Sequence, residues 1–339
     1  MKNVFEKKNV LVTGGAGFIG SHLCERLLKE ARVICMDNFS NSSQQNISHL
    51  LQYPDFEFIN YDVNQPFKLE QFDELNKFKI KYQGVQEIYH LACPTSPKKF
   101  EQSKVENLVS NSLGMINTLE IAAQYKAKYV FTSTSVVYGD ATGKKKVFKE
   151  SDIGEIDHLS PRACYDEGKR FAETCVETYN QSRGIDGKIA RVFTAYGTRM
   201  KLFENQLIPD FVMNALEGKD LVIYGDENFA TSLCYVTDVV DGLVRLMSSD
   251  ADVKVVNIGG DSIVKYVDVA NQIISLTNSS SQVVFKPPML FLTKKGMPDL
   301  AYAKDKLGWL PLVRLEDGLD KMVDYVSANR EALMLEANQ

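Results

Sequence analysis

The sequence of 339 residues has no apolar stretch of the roughly 18 residues that a membrane-spanning helix needs. Its first residues, Met-Lys-Asn-Val-Phe-Glu-Lys-Lys, lack the apolar core of a secretion signal. No long basic tract occurs and the net charge is −5, which argues against nucleic acid as the main partner. We therefore expect a cytoplasmic protein without a membrane or nucleic-acid partner.

The six cysteines include no CxxC pair and no short Cys/His spacing of the kind that binds metals. They are Cys24, Cys35, Cys93, Cys164, Cys175 and Cys234. This spacing predicts reduced thiols and no metal site. The length allows one large α/β domain or two unequal lobes, each with its own core.

A glycine-rich segment is the first feature with a chemical meaning. Residues 10–20 read Val-Leu-Val-Thr-Gly-Gly-Ala-Gly-Phe-Ile-Gly and join a predicted strand at 9–12 to a helix predicted from Ser21. Gly14 suits a tight turn, Gly17 a close approach of backbone to a diphosphate, and Gly20 close packing of helix on strand. The N–H groups at the start of the helix would then point at the anion.

A second apolar run at 33–36 ends in Asp37, near the distance of about 20 residues expected for a carboxylate that binds a ribose 2′-hydroxyl. Because this carboxylate would repel a 2′-phosphate, the sequence favours NAD over NADP. A tight turn followed by a solvated aspartate is the alternative. The polar loop that begins at Asn38 is expected to cover the adenosine. Asp62, next to Val63, either meets the adenine edge or simply ends a strand.

Apolar runs and helical spacing alternate along the chain. Strands are predicted at 56–60, 87–92, 129–134, 189–193, 220–224, 255–260 and 283–285, and helices at 105–125, 206–216 and 239–247. Residues 66–86 are predicted to form an exposed helix, and 304–311 a turn before a C-terminal helix. The alternation predicts an α/β fold with a doubly wound parallel sheet, helices on both faces and ligands at the carboxyl ends of the strands.

Tyr165 and Lys169 are four residues apart near the start of a helix predicted at 162–182, so they share one face. An ammonium beside a phenol, together with the positive charge of a bound nicotinamide, is expected to lower the pKa of Tyr165 from about 10. Tyr165 would then accept a proton from a sugar hydroxyl as hydride leaves the same carbon. Thr134, at the end of its strand, is expected to hydrogen-bond that hydroxyl. A surface helix pair is the alternative.

Three segments together carry a family resemblance. Thr-Gly-Gly-Ala-Gly-Phe-Ile-Gly at 13–20, Thr-Ser-Thr-Ser-Val-Val-Tyr-Gly at 132–139 and the Tyr165-x-x-x-Lys169 pair resemble the extended short-chain dehydrogenase/reductase family that acts on nucleotide sugars. The resemblance covers nearly the whole chain. Residues 90–97 and 163–170, supported by 234–238 and 308–311, are similar to UDP-glucuronate decarboxylases in particular.

The resemblance implies a Rossmann-type NAD-binding domain at 1–190, to which 235–260 contribute, and a smaller α/β lobe for the nucleotide sugar, mainly at 191–339. It implies NAD-dependent oxidation of the sugar C4 hydroxyl, with Thr134, Tyr165 and Lys169 as the catalytic residues. The implied NAD contacts are Gly14, Gly17, Phe18, Ile19, Gly20, Asp37, Asn38, Asp62, Val63, Leu91, Ala92, Tyr165 and Lys169. The implied substrate contacts are Pro94, Ser96, Ser135, Val136, Thr194, Arg199 and Thr231. Helices at 105–125 and 162–182 commonly pair across a two-fold axis in this family, which implies a homodimer or homotetramer.

The chain departs from the decarboxylase pattern at residues that, in the decarboxylases, support the steps after oxidation at C4. Val136 stands where the decarboxylases carry a Glu, and residues 229–232 lack their Arg. Thr194 replaces an Asn that helps bind the diphosphate, and Gly296 stands near the usual place of another Arg. Loss of a charge-assisted bond to a buried carboxylate typically costs a few kcal/mol, so a glucuronate would bind poorly.

The leading expectation is an NAD-dependent enzyme that oxidises C4 of a UDP- or GDP-linked sugar to a 4-keto product or intermediate, with C4 epimerisation as one outcome. The alternatives are a UDP-glucuronate decarboxylase with substitute residues and a non-catalytic NAD-binding regulator. Arg199 and Arg191 are candidate phosphate partners, although Arg191 could instead be paired within the core.

Overall fold

The computed structural model describes residues 7–141, 146–288 and 296–337. The strands in these ranges are β1 (Asn9–Thr13), β2 (Arg32–Asp37), β3 (Phe56–Asn60), β4 (Glu87–His90), β5 (Lys128–Thr134), β6 (Val147–Phe148), β7 (Asp186–Val192), β8 (Thr194–Tyr196), β9 (Leu221–Tyr224), β10 (Ala230–Tyr235), β11 (Val255–Ile258), β12 (Ile263–Lys265), β13 (Val283–Lys286) and β14 (Met297–Pro298).

The α-helices in the same ranges are α1 (Phe18–Leu27), α2 (Ile80–Gln83), α3 (Lys104–Val109), α4 (Met115–Tyr125), α5 (Ala163–Arg183), α6 (Leu207–Leu216), α7 (Val236–Ser248), α8 (Tyr266–Thr277), α9 (Ala301–Leu307), α10 (Leu315–Ala328) and α11 (Arg330–Ala337). A π turn, Ser110–Gly114, joins α3 to α4, so the predicted helix at 105–125 is one continuous element with a local bulge.

A seven-stranded parallel sheet in the order β11-β7-β5-β4-β1-β2-β3 forms the centre of the fold. Side chains alternate between its two faces: Val10 and Val12 join one apolar cluster with helices α1 and α7, whereas Leu11 joins another with α4 and α5. Burial on both faces explains the nearly continuous apolar runs of these strands. The predicted doubly wound α/β fold is confirmed.

Smaller sheets, β12-β10-β8, β13-β9 and β14-β6, lie outside the central sheet. A third apolar cluster joins α6, α8, α10 and β9 through Phe211, Ile273, Leu319 and Ile223. Strand β11 belongs to the central sheet although it comes late in the chain, so the two halves of the sequence are interleaved. The division into a cofactor domain and a substrate lobe stays a prediction.

The exposed helix predicted for 66–86 is wrong. The segment forms two 3₁₀ turns, Leu69–Gln71 and Asp73–Phe78, followed by the short helix α2. Leu69, Leu75 and Phe78 are buried against the sheet, and Phe72 packs beside them. Their spacing of three residues matches the three residues per turn of a 3₁₀ helix, which places them on one face.

Two other boundaries also differ from the prediction. Helix α1 begins at Phe18, directly after Gly17, rather than at Ser21. Residues 301–307 form helix α9, so the turn predicted from 304 begins only at Gly308, whose φ is +58°. Trp309 follows, buried, with its indole N–H donating to the carbonyl oxygen of Asp238 at 3.0 Å.

Arg191 belongs to a buried polar network and not to a phosphate site. Its guanidinium donates from Nε and Nη2 to the two carboxylate oxygens of Glu173 on α5, at 3.0 and 2.7 Å. It also donates to the hydroxyl of Tyr138 at 2.9 Å and to the carbonyl oxygen of Glu150 at 3.0 Å. The arginine and glutamate side chains are only 14% and 12% exposed. Of the two sequence alternatives for Arg191, the structure favours the core pair.

We expect Arg191→Met to lower the free energy of unfolding by about 3–5 kcal/mol, because it leaves the Glu173 carboxylate buried without its cation. The double variant Arg191→Met/Glu173→Leu is expected to regain most of that loss, since no unpaired charge remains. Denaturant unfolding measures both effects. Arg26→Met, which removes an exposed pair with Glu30, is the control and is expected to cost about 1 kcal/mol or less. Equal losses in the free energy of unfolding in Arg191→Met and Arg26→Met would contradict the assignment of Arg191 to a buried ion pair.

Candidate active site

A cleft of about 690 Å³ opens beside the carboxyl ends of the central strands, a size typical of small-molecule sites. It brings together nearly all of the residues predicted from the sequence. These are Gly14, Gly17, Phe18, Ile19, Gly20, Asp37, Asn38, Asp62, Val63, Leu91, Ala92, Pro94, Ser96, Thr134, Val136, Tyr165, Lys169, Thr194, Arg199 and Thr231. Their individual roles stay predictions.

Ser135 is the exception. It is the first residue of the 3₁₀ turn Ser135–Tyr138, which the Thr134 hydroxyl caps by accepting from the backbone N–H of Val136 at 3.4 Å. Ser135 is 5% exposed and is not among the residues that line the cleft. Its predicted contact with substrate stays a prediction.

The glycine loop between β1 and α1 has the geometry of an anion site. Gly14 has a φ of +70°, and a Cβ there would lie 2.7 Å from the backbone nitrogen of Ala92, so only glycine fits. A Cβ at Gly20 would collide with the backbone of Gly14 and Gly15. Helix α1 has no side-chain cap at Gly17, which leaves its first N–H groups facing the cleft. These features fit the diphosphate of a dinucleotide.

Asp37 ends β2 and is 8% exposed. Its carboxylate accepts from the backbone N–H groups of Ala16 at 3.0 Å and Phe39 at 2.9 Å, and from the Ser42 hydroxyl at 2.6 Å. The carboxylate therefore braces the glycine loop and faces the cleft. A ribose hydroxyl would bind here in competition with, or beside, the Ser42 hydroxyl.

Asp62 follows β3 and also lines the cleft. Its carboxylate accepts from the backbone N–H of Asn64 at 3.0 Å. This local turn does not decide between an adenine contact and a plain strand-end aspartate, and both interpretations of Asp62 stay open.

Thr134, Tyr165 and Lys169 converge at the centre of the cleft. Thr134 ends β5, and Tyr165 and Lys169 lie one turn apart on α5. The Thr134 hydroxyl lies close enough to the Tyr165 phenol to lower its pKa. The Lys169 ammonium is buried, donates to the carbonyl oxygen of Thr132 at 3.2 Å and lies 5.9 Å from the centre of the Tyr165 ring.

The pKa of Tyr165 does not follow the sequence expectation. Burial is the largest influence and raises the pKa of Tyr165 above its ordinary value, with a smaller rise from the neighbouring thiol of Cys93. The guanidinium of Arg162 and the Thr134 hydroxyl act in the opposite direction. The expectation that Lys169 lowers this pKa left out the cost of desolvating a phenolate. The positive charge of an oxidised nicotinamide is the remaining influence that would lower it.

The predicted substrate contacts lie in the loop after β4 and in the stretch from β8 to β10. The hydroxyls of Thr194 and Thr231 are 3.0 Å apart, and Ser96 donates to the carboxylate of Glu204. Arg199 lines the cleft, but its guanidinium also pairs with Glu25 of α1. The predicted role of Arg199 as a phosphate partner stays a prediction.

Several cleft residues were missed from the sequence. Arg162 lies three residues before Tyr165, with its guanidinium 5.7 Å from the centre of the Tyr165 ring; the spacing of one helical turn is a signal that could have indicated it. Lys99, Lys201 and Glu204 also line the cleft. They come from irregular loops, where no periodicity marks a functional face.

Within residues 7–141, 146–288 and 296–337 no group of three or more His, Cys, Asp or Glu side chains is arranged to hold a metal ion. Over the same ranges no helix combines the length and apolar character needed to cross a membrane.

Comparison with known proteins gives a family match over residues 10–259, to the NAD dependent epimerase/dehydratase family. One relative, UDP-glucuronic acid decarboxylase 1 of Danio rerio, is 36% identical over 327 residues, which cover 96% of this chain and 74% of the relative.

Two solved structures extend the comparison to the fold. An epimerase from Methanothermobacter thermautotrophicus has a TM-score of 0.85 and 26% identity, covering 98% of this chain and 95% of that one. The UDP-glucuronic acid 4-epimerase of Bacillus cereus, in complex with UDP-glucuronic acid and NAD, has a TM-score of 0.81 and 28% identity, covering 94% of this chain and 99% of that one. The resemblance and the cofactor predicted from the motifs are confirmed.

We expect NAD⁺ to bind more tightly as pH rises. Burial holds the Tyr165 phenol neutral, and a nicotinamide cation beside it favours the phenolate, so binding releases a proton. The Kd ratio of NADH to NAD⁺ should rise by at most about tenfold per pH unit, the limit for one released proton. Titration of both cofactor forms at neutral and alkaline pH measures this ratio.

Tyr165→Phe is the matched variant for that experiment, because it removes only the titrating hydroxyl. Its ratio should be independent of pH over the same interval. If the Kd ratio changed with pH equally in the wild type and in Tyr165→Phe, a group other than Tyr165 would be releasing the proton.

Proposed function

The chain belongs to the NAD-dependent epimerase/dehydratase family, and we propose that it oxidises the C4 hydroxyl of a nucleotide sugar to a 4-keto group. The observation that carries the proposal is the convergence of Thr134, Tyr165 and Lys169 in the cleft that also contains the glycine loop. The sugar carbon to be oxidised would lie next to the Tyr165 hydroxyl.

The residues of this chain account for the proton in that reaction. Tyr165 accepts the proton of the sugar hydroxyl as general base. Thr134 lies next to the Tyr165 phenol, whose pKa it lowers, and would hold the same sugar hydroxyl. Lys169, fixed by its bond to Thr132, supplies positive charge that stabilises the phenolate. NAD, when bound, supplies the hydride acceptor.

The wall beyond the catalytic residues favours an outcome other than decarboxylation. Val136 lines the cleft at the place of the decarboxylase Glu, and its apolar side chain cannot carry a proton. Phe229, Ala230 and Thr231 form the wall where the decarboxylase pattern places an Arg, so this segment offers no cation to a glucuronate carboxylate. We infer that the 4-keto sugar is either released or reduced again without loss of CO₂.

Decarboxylation of UDP-glucuronate is the second candidate. It is favoured by the 36% identity to the Danio rerio decarboxylase over 96% of the chain. The guanidinium of Arg162 lines the cleft beside Tyr165 and would be the cation that binds the sugar carboxylate in this reaction. Formation of CO₂ and a UDP-pentose would establish this activity.

We expect transfer of deuterium from C4 of a labelled sugar to the nicotinamide in a single turnover, read by mass spectrometry of the extracted cofactor. The substrates are C4-deuterated UDP-glucose, UDP-glucuronate and GDP-mannose, with CO₂ measured in parallel. Tyr165→Phe should slow the transfer by about 10²–10⁴-fold, the usual contribution of a general base.

Tyr179→Phe is the control for that experiment, because Tyr179 lies on the same helix, bonds Glu120 and does not line the cleft. It is expected to keep the wild-type rate. An unchanged rate of deuterium transfer in Tyr165→Phe would overturn the proposed role of the phenol.

We also propose that two copies of the chain pair through the helical segments α3–α4 and α5. Val105, Leu108, Leu113 and Phe171 are apolar and 68%, 51%, 52% and 48% exposed. Helices α3 and α5 pack against each other, so these exposed apolar side chains lie on neighbouring elements. Pairing of two copies through these helices in a symmetric interface would remove the apolar side chains from water.

The double variant Leu108→Glu/Phe171→Glu is expected to sediment as a monomer at concentrations where the wild type is a dimer or tetramer, because pairing would bury unpaired charges. Tyr82→Glu changes another apolar side chain, 92% exposed, outside these helices and should leave the assembly unchanged. A monomeric wild type would contradict the proposal.

A further inference from the structure

Glu204 is a carboxylate in the cleft for which the catalytic proposal has no use. It is 7% exposed and forms part of the cleft wall. The Ser96 hydroxyl donates a hydrogen bond to it and itself accepts from the backbone N–H of Lys99 at 3.1 Å. Ser96 is one of the residues predicted to contact the substrate, and Ser96, Glu204 and Tyr165 all line the same cleft.

The backbone around Glu204 adopts an unusual conformation that orients its side chain. Phe203 and Asn205, on either side, have φ values of +57° and +58°, a left-handed conformation that is uncommon outside glycine. The carboxylate of Asp210 on α6 accepts from the N–H of Phe203 at 2.6 Å, and the backbone of Asn205 lies close enough to lower the pKa of the same carboxyl. One side chain thus faces the backbone on both sides of Glu204 and bonds one of the two strained residues. Such strain is found where a functional group must be held in place.

The closeness of the Glu204 and Asp210 carboxyl groups is electrostatically unfavourable. Burial, with a further contribution from the charge of Glu204, raises the pKa of Asp210 to about 7, against the opposing effect of Lys98. Two carboxyl groups in a half-buried loop destabilise each other unless one is protonated or both are well bonded. The chain keeps both groups, and only Glu204 lines the cleft.

The chemistry of Glu204 limits what it can bind. An ionised carboxylate only accepts hydrogen bonds, with about four lone-pair sites, and Ser96 uses one of them. Hydroxyl and ammonium groups of a sugar can donate to the remaining sites, whereas a sugar carboxylate would be repelled. Lys99, Lys201 and Arg199 also line the cleft and suit the diphosphate. Arg162, beside Tyr165, is already paired with the carboxylate of Asp166 at 3.3 Å, so Glu204 is expected to decide the response to a sugar carboxylate.

We propose that Glu204 is a specificity-determining residue that binds a hydroxyl or ammonium group of the sugar and restricts the chain to nucleotide sugars without a carboxylate. The inference rests on the proposed C4 oxidation and narrows its substrate to neutral or amino sugars. Asp210 is a positioning residue in this scheme, because its carboxylate bonds the backbone of Phe203 beside Glu204.

Binding to matched pairs of substrates tests the inference. The pairs are UDP-glucose with UDP-glucuronate and GDP-mannose with GDP-mannuronate, and the readout is the Kd ratio within each pair by calorimetry on the NAD-loaded protein. In the pair that binds, the wild type should favour the neutral sugar by roughly tenfold or more, as expected for one like-charge contact. Glu204→Gln should bring the ratio close to one, chiefly by tightening the uronate.

Glu106→Gln provides the matched control, since Glu106 lines the cleft but is exposed. The same loss of charge there should leave the ratio unchanged. Asp210→Ala keeps the charge of Glu204 but no longer holds the backbone beside it. It should bring the Kd ratio of uronate to neutral sugar closer to one, but by less than Glu204→Gln does. Thermal unfolding and NAD binding verify that each variant is folded; should Glu204→Gln not fold, Asp210→Ala carries the test.

The outcomes separate this inference from the proposed function. Deuterium transfer from C4 with an unchanged ratio in Glu204→Gln and Asp210→Ala would overturn the role of Glu204 and leave C4 oxidation standing. A wild type that binds the uronate better would overturn the inference as well. Absence of any deuterium transfer from the bound neutral sugars would instead remove the proposed function on which it rests.

Discussion

The hydrogen bond from the Lys169 ammonium to the carbonyl oxygen of Thr132, 3.2 Å long, fixes helix α5 against the end of strand β5. Lys169 is 3% exposed, and a buried ammonium is stable only with close partners. The ring of Phe131, whose centre is 4.7 Å from the nitrogen, supplies a cation–π contact. Because Thr134 lies two residues beyond Thr132 and Tyr165 one turn before Lys169, this bond sets the phenol beside the threonine hydroxyl.

The Lys169 charge also affects His90, which lies at the end of the strand next to β1 and its glycine loop. Burial and the Lys169 charge lower the pKa of His90 to about 3, so its imidazole is neutral. It forms a 2.7 Å hydrogen bond with the hydroxyl of Thr13, the residue before the glycine turn. The ends of β1 and β4 are therefore joined by a hydrogen bond between neutral groups, and the rings of His90 and Phe131 pack against each other between β4 and β5. These contacts connect the residue before the glycine loop with the strand that carries Thr134.

The sequence was informative where a function depends on local spacing. The glycine turn, Asp37 at the end of its strand and the one-turn separation of Tyr165 and Lys169 are properties of short segments, and the structure brings all of them to one cleft. Contacts between distant segments could not be predicted in this way. Arg191 meets Glu173 only through tertiary packing, and the 3₁₀ turn that Thr134 caps begins at Ser135 without a periodicity that would mark it. Glu204 depends on a non-periodic loop and on a carboxylate six residues further along.

Under the two proposals, two features of the cleft wall act on the charge of the sugar in the same direction. Residues 229–232 lack the arginine of the decarboxylase pattern, and a buried carboxylate, Glu204, is held in the wall near Ser96. The first feature would offer no attraction to a uronate carboxylate and the second would repel it, so their effects on binding would reinforce each other. Neither feature involves Tyr165, Thr134 or Lys169. Charges on loops would then decide which sugar is accepted, while the strand and helix that carry the proposed oxidation at C4 stay unchanged.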